Sequence, residues 1–203
     1  MNINNYLETL DLSKPGVVGD LDIMLDSFKN LKELSMDDIC NLCPKRKDVT
    51  SILIGLWASG FLKSPLFDSN YSLKGLKNYK REYLTAREKR LMLNGLFDII
   101  RYSHIDNPED HDAIDYIYSV CRNLYLLIPD ELEDNLVEQY LLNPTASFID
   151  ALGRLVRDKY SIQPETFILL KNAANNPNEK IASMAKEVLE EDVKPMNEIY
   201  HFL

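Results

Sequence analysis

The stretch SMDDICNLCPKRKDVTSILIGLWASG, residues 35–60, decides how the fold is read. Ser35, with Asp37 and Asp38 behind it, is a helix start: the hydroxyl accepts from an early backbone N–H, and the carboxylates meet the positive end of the helix. Pro44 ends that helix near Cys43, because a proline drives the preceding residue out of helical geometry. Lys45 to Asp48 make a polar turn. Val49, Ile52, Leu53, Leu56 and Trp57 then carry a second helix to Gly60, a residue type that often stops helices. Two short helices around a tight turn form a helix-turn-helix arrangement.

On the N-terminal side, Gly19 and Asp20 precede Leu21, Met24, Leu25, Phe28 and Leu31, whose spacing predicts another helix with one apolar face. On the other side the period changes. Phe61-Leu62-Lys63-Ser64 is extended in character, Pro65 to Asn70 is rich in turn formers, and Tyr71-Ser72-Leu73-Lys74 alternates as a strand does. A β-hairpin directly behind the second helix is the expectation.

In this order the residues resemble the winged helix-turn-helix proteins over residues 18–80. Ser35 to Cys40 stand as the helix before the turn and Val49 to Leu53 as the recognition helix. Leu56 with Gly60-Phe61-Leu62, and Tyr71 to Gly75 as the returning wing strand, complete the likeness. The resemblance implies a second helix in a DNA major groove and a wing on phosphate or in the minor groove. Carried over by position, Lys45, Arg46, Lys47, Thr50 and Ser51 would face DNA, with Lys74 and Lys77 flanking on the wing side. Lys and Arg would neutralise phosphate, while Thr and Ser would donate to phosphate or base edges. The chain departs from the family at Ile54, Gly55 and Trp57, where polar or basic residues usually stand. Exposed Ile54 and Trp57 would suit a protein partner instead. Winged helices serve both purposes, so the fold leaves the ligand open.

The expected division is a winged helix-turn-helix domain over 1–83 and an acidic α-helical domain over 84–203, with 84–103 as a connecting helix. Thr85 and Glu88 form its capping box, and Leu91, Leu93, Leu96, Phe97, Ile99 and Ile100 give it apolar surface. The family resemblance implies that such a helix serves homodimerisation. Pro108, Pro129, Pro144, Pro164 and Pro177 stand where first helical positions are expected. Helices are expected near 109–127, 130–142, 145–160, 165–174 and 178–191, and a short one over 195–202.

Two of these segments align. Asn143-Pro144 precedes Phe148, Ala151, Leu152, Leu155 and Val156, and Asn176-Pro177 precedes Ile181, Met184, Ala185, Val188 and Leu189 at the same offsets. Stacked helical pairs repeat at such intervals. Leu169 to Leu189 resembles one HEAT-type hairpin, although Ala182 stands where those repeats often have Arg. The fold class is therefore mainly α: a winged helix-turn-helix with a small β-hairpin wing, then a helical bundle or short HEAT-like array.

Charge is distributed unevenly. Residues 1–90 hold 14 Lys and Arg against 12 Asp and Glu, whereas residues 91–203 hold 9 against 20, so the net charge of −9 sits in the second part. This suits an anion-facing module joined to a partner-facing one, or simply two solvated faces. Hydrophobic residues at 45% exclude a disordered chain. No apolar run is long enough to span a bilayer, and Met1 to Asn5 carries no signal-peptide pattern. A cytoplasmic protein is expected, or a nuclear one in a eukaryote, without a membrane partner.

Cys40, Cys43 and Cys121 are expected to be reduced thiols. The Cys-x-x-Cys pair lacks the further Cys or His ligands of a zinc site, so both cysteines are read as core. His104, His111 and Asp112 suggest a metal hydrolase only by residue type, and His201 is expected in solvent. No phosphate loop, dinucleotide fingerprint or hydrolase nucleophile motif occurs. The expectation is a non-enzyme with no cofactor and no metal. The expected function is that of a DNA-binding transcriptional regulator with a helical domain for dimerisation or partner binding. The alternative is a non-enzymatic immunity, inhibitor or adaptor protein that holds another protein.

Overall fold

The computed structural model describes residues 3–27, 35–67, 84–105, 107, 113–128 and 131–194. The helices run in the order α1 (Ile3–Thr9), α2 (Val17–Asp26), α3 (Met36–Leu42), α4 (Lys47–Phe67) and α5 (Ala86–Tyr102). They continue with α6 (Ala113–Leu127), α7 (Leu132–Leu142), α8 (Ala146–Lys159), α9 (Pro164–Ala173) and α10 (Glu179–Val188). A π-helical turn, Leu189–Val193, extends α10. No strand occurs among the described residues.

Both capping boxes form where the residue types call for them. Ser35 Oγ accepts from the Asp38 N–H and the Asp38 carboxylate accepts from the Ser35 N–H; Thr85 and Glu88 repeat the arrangement at α5. The hydrogen bonds hold both carboxylates below their ordinary range. Thr50 Oγ donates to the Cys43 carbonyl at 2.7 Å and so ties the α3–α4 turn shut. The two helices and the tight turn between them are thus present.

The segment behind them is not the first strand of a wing. Gly60 and Phe61-Leu62-Lys63-Ser64 lie inside α4, which runs on to Phe67, while Tyr71 to Lys74 lie outside the described residues. The reason is visible one turn earlier, where every residue from Ile52 to Ser59 is buried. A helix that is apolar on all sides is a buried helix. Burying Ile52, Leu53, Ile54, Leu56 and Trp57 is worth about 2 kcal/mol per side chain. A glycine inside a helix costs only about 1 kcal/mol, so Gly60 is carried along rather than ending it.

Among the described residues, no pair of helices packs more extensively than α4 and α5. Their backbones touch at Gly55 and Gly95: a Cβ on Gly55 would lie 2.4 Å from the Gly95 carbonyl carbon and oxygen, and one on Gly95 would lie 2.4 Å from Ser51 O. Arg101 pairs with Asp98 at 2.7 Å on the α5 flank and reaches Gln139 of α7 at 3.5 Å. Two buried polar links join α4 and α5 to later helices. Asn123 Nδ2 of α6 donates to Ser59 Oγ at 3.0 Å, and Ser147 Oγ of α8 donates to the Ser103 carbonyl just beyond α5. One apolar cluster runs from Leu7 to Val193 and crosses the boundary expected at residues 83 and 84.

After α5 and α6, the described residues form two helical hairpins, α7–α8 and α9–α10, with α8 against α10 and α7 beside α9. The aligned positions Phe148, Ala151, Leu152, Leu155 and Val156 are all buried, as are Ile181, Ala185 and Val188. Pro164 takes the first position of α9 as expected. Pro144 and Pro177 instead stand one residue before the N-caps, where Thr145 and Asn178 accept from early backbone N–H groups. Pro108 and Pro129, and the short helix expected over 195–202, lie outside the described residues. Gly153 allows the α8–α10 approach, since its Cβ would lie 2.6 Å from Val188 Cγ2 and 2.7 Å from Asp192 Oδ2. The buried Glu133 carboxylate of α7 takes Lys159 Nζ at 2.8 Å and the Gln163 N–H at 2.9 Å, fastening one hairpin to the next. No described helix is long and apolar enough to cross a membrane.

Candidate functional site

At the α3–α4 turn Arg46 is engaged by the protein itself, whereas Lys45 and Lys47 remain exposed. Lys45 pairs with Glu8 at 3.1 Å. Arg46 donates to the carbonyls of Glu8 at 3.1 Å and Leu10 at 3.0 Å, and makes a forked pair with Asp48 at 3.0 and 2.8 Å. A guanidinium with that many fixed partners holds the end of α1 in place. Lys47 is exposed, and Thr50 and Ser51 are half-buried. Lys47, Thr50 and Ser51 line one cleft of about 360 Å³ with Cys40, Pro44 and Leu91. Lys74 and Lys77 lie outside the described residues.

Ile54 and Trp57 are not the exposed contact residues expected from their types. They are 2% and 1% exposed, respectively. The reason is the same all-round burial of α4: α2, α3, α5 and α6 each pack against that helix. Only its first turn, from Lys47 to Ser51, reaches the surface before the buried run.

Cys43 is buried and Cys40 is half-buried against the core, and burial pushes both thiols up. Cys121 is pushed up to about 12, again chiefly by burial. A thiol that stays protonated is a poor nucleophile and a poor metal ligand. Among the described residues no three His, Cys, Asp or Glu side chains are placed to hold a metal. His104 is half-buried with Nε2 at 3.3 Å from the Leu12 carbonyl, whereas His111, Asp112 and His201 lie outside the described residues.

A surface missed in the sequence lies on α6. Its inner face buries Ile117, Val120, Cys121 and Leu124. Its outer face presents Ile114, Tyr118 and Tyr125, 52%, 50% and 52% exposed, with exposed Arg122 between the tyrosines. These positions succeed one another at intervals of four, four and three, so they form one stripe. Beside the stripe a cleft of about 740 Å³ opens toward α8, lined by Tyr118, Cys121, Arg122, Tyr125, Leu155, Asp158 and Lys159. The ammonium of Lys159 is bonded to Glu133 of α7.

The residues do carry a signal for this stripe: apolar or aromatic side chains cover more than half of the circumference of α6, beyond the single face that a helix between core and solvent needs. By type alone, the eleven tyrosines of the chain all pass as packing residues. That holds for Tyr140, which is 6% exposed, and not for Tyr118 or Tyr125. Comparison with family models, with curated proteins and with solved structures finds no match.

Proposed function

We propose that this chain is a non-enzymatic protein-interaction protein, of the adaptor, inhibitor or immunity type, that holds a protein partner against α6 and α8. The observation that carries the reading is the outward stripe Ile114, Tyr118, Arg122 and Tyr125 beside a cleft. Tyrosine and arginine are enriched among the residues that dominate interface energetics: tyrosine offers large amphipathic area at low cost in side-chain freedom, and arginine a planar fork of donors. The excess of 20 Asp and Glu over 9 Lys and Arg in residues 91–203 adds a field that speeds encounter with a basic partner.

The test is affinity capture from cells of the source organism with the wild type and a Tyr118→Ala/Tyr125→Ala variant. The reading expects a partner retained by the wild type and weakened by roughly a hundredfold in the variant. Equal retention by both would overturn it. The exposed tyrosines can be removed without opening the core, and an unchanged circular dichroism spectrum checks that.

A second reading, the DNA-binding regulator, is favoured by one observation: Lys47, Thr50 and Ser51 line a single cleft at the start of the second of two helices joined by a tight turn. It requires contact through that first turn, since Ile52 to Ser59 are occupied by packing. Its test is a gel shift with Lys45→Ala/Lys47→Ala, sparing Arg46, whose loss would release α1. This reading expects DNA affinity that falls steeply with salt and drops in the double variant.

A further inference from the structure

The edge formed by α7 and α9 carries a groove that the α6 surface does not use. Its walls and floor are Val137, Tyr140 and Leu141 from α7 and Ile168, Leu169 and Ala173 from α9, and its volume is about 490 Å³. Leu141 is 67% exposed and Ile168 58% exposed, so two branched aliphatic side chains stand in water on facing helices. Asn172 and Asn176 close one end, and Asn176 bonds to the Tyr140 side chain.

The charges around it have one sign. Glu165 lines the groove itself. Asp134 and Glu138 are exposed on the α7 face that carries Val137 and Leu141, at helical spacings of three and four. The cation of α9, Lys171, is drawn over the Phe167 ring at 4.2 Å, one row away from the Ile168–Asn172 face. Lys159, at the far end of α8, is held by Glu133.

We infer that this groove is a docking site for an amphipathic helix of a partner protein, with aliphatic residues on one face and Lys or Arg on the flanks. Leu or Ile side chains at i, i+3, i+4 and i+7 fill the trough between Leu141 and Ile168. The flanking cations meet Glu165 in the lining on the α9 side and the exposed Asp134 and Glu138 beyond the lining on the α7 side, and so orient the helix along the groove. An acidic helix finds the same apolar trough but a repelling rim, a neutral one gains no attraction from the rim, and specificity comes from that difference. The inference stands on residues separate from the α6 stripe, so either surface can fail without the other.

The experiment is a fluorescence anisotropy titration of the full chain with two fluorescein-labelled peptides of about 14 residues, roughly four helical turns. Both carry Leu at i, i+3, i+4 and i+7; one is flanked by Lys and the other by Glu. The expected result is binding of the Lys-flanked peptide that weakens with salt, about tenfold tighter than the Glu-flanked one. Ile168→Asp should weaken it at least about tenfold, Glu138→Lys/Glu165→Lys should reverse the preference, and Tyr118→Ala/Tyr125→Ala should leave it unchanged. These positions are exposed, and circular dichroism checks that each variant keeps its helices. Equal affinity for the two peptides, no binding of either, or no effect of Ile168→Asp would overturn the inference. So would a dimer in sedimentation that Ile168→Asp abolishes, because a second copy would then cover the groove.

Discussion

In α8 the buried side chains Phe148, Leu152, Leu155 and Val156 recur at helical spacing, and Arg157 and Asp158 turn to solvent. In α4 every residue from Ile52 to Ser59 is buried and no such alternation exists. The two regions show how one driving force leaves different traces. A helix at the surface of the core must divide its faces, and the division is readable as a period. A helix surrounded by others needs no polar face, and its sequence then offers only breaker residues as punctuation, here Gly55, Gly60 and Pro65, all of which lie inside α4. The α4 glycines serve contact instead: Gly55 lies against Gly95, and Gly60 is passed over.

The contrast breaks most sharply at that crossing. Gly55→Leu would drive a side chain into the Gly95 backbone, and overpacking at a site closed by backbone on the far side should cost about 3 kcal/mol or more. A urea titration followed by circular dichroism checks this, and a variant of wild-type stability would mean that α4 and α5 do not touch. In the hairpin region the largest single effect is expected at Glu133. Glu133→Ala leaves Lys159 and the Gln163 N–H without their buried acceptor and should cost about 2 kcal/mol. The same titration measures it.

At the α5 cap, Thr85→Ala should cost about 1 kcal/mol. The smallest effect is a pH dependence. The Glu88 carboxyl is lowered by its bonds to Thr85, so its contribution is present above the ordinary glutamate value of 4.5 and is lost as pH falls through the lowered value. Asp98 and Asp192 run in the opposite direction. Burial raises both, so their ionisation opposes folding and protonation relieves that cost. Glu88→Gln should therefore lose stability relative to wild type at neutral pH by a few tenths of a kcal/mol, about the worth of a charge at a helix start, and the gap should close in acid. A gap independent of pH would remove the carboxylate from the cap.

The same physics decides which features are legible in the residues. The capping boxes at Ser35 and Thr85 are readable because their chemistry is local, three residues long and needs nothing from the rest of the chain. The stacking of α8 on α10 is readable because the apolar offsets after Asn143-Pro144 and Asn176-Pro177 agree residue by residue. The short α1 leaves a fainter trace: Leu7 is its one fully buried side chain, and its position is held by Arg46 from far along the sequence. The cationic corner is readable only in part, for a related reason. Lys45 and Arg46 are cationic by type, but whether a cation faces a ligand or a neighbouring carbonyl is decided by tertiary contacts. The α6 stripe leaves a trace in its wide apolar and aromatic arc, but residue type alone does not separate buried Tyr140 from exposed Tyr118 and Tyr125.

From Ile52 to Ser59 helix α4 is buried against its neighbours, and partner contact is accordingly proposed for the later helices. Amide hydrogen exchange tests this without a ligand or a substitution. The Ile52 to Ser59 amides should exchange only through global unfolding and be the slowest of the chain, slower than those of the exposed face of α6. Exchange of Ile52 to Ser59 as rapid as at helix ends, slowed by added DNA, would contradict it and return α4 to the surface as a recognition helix.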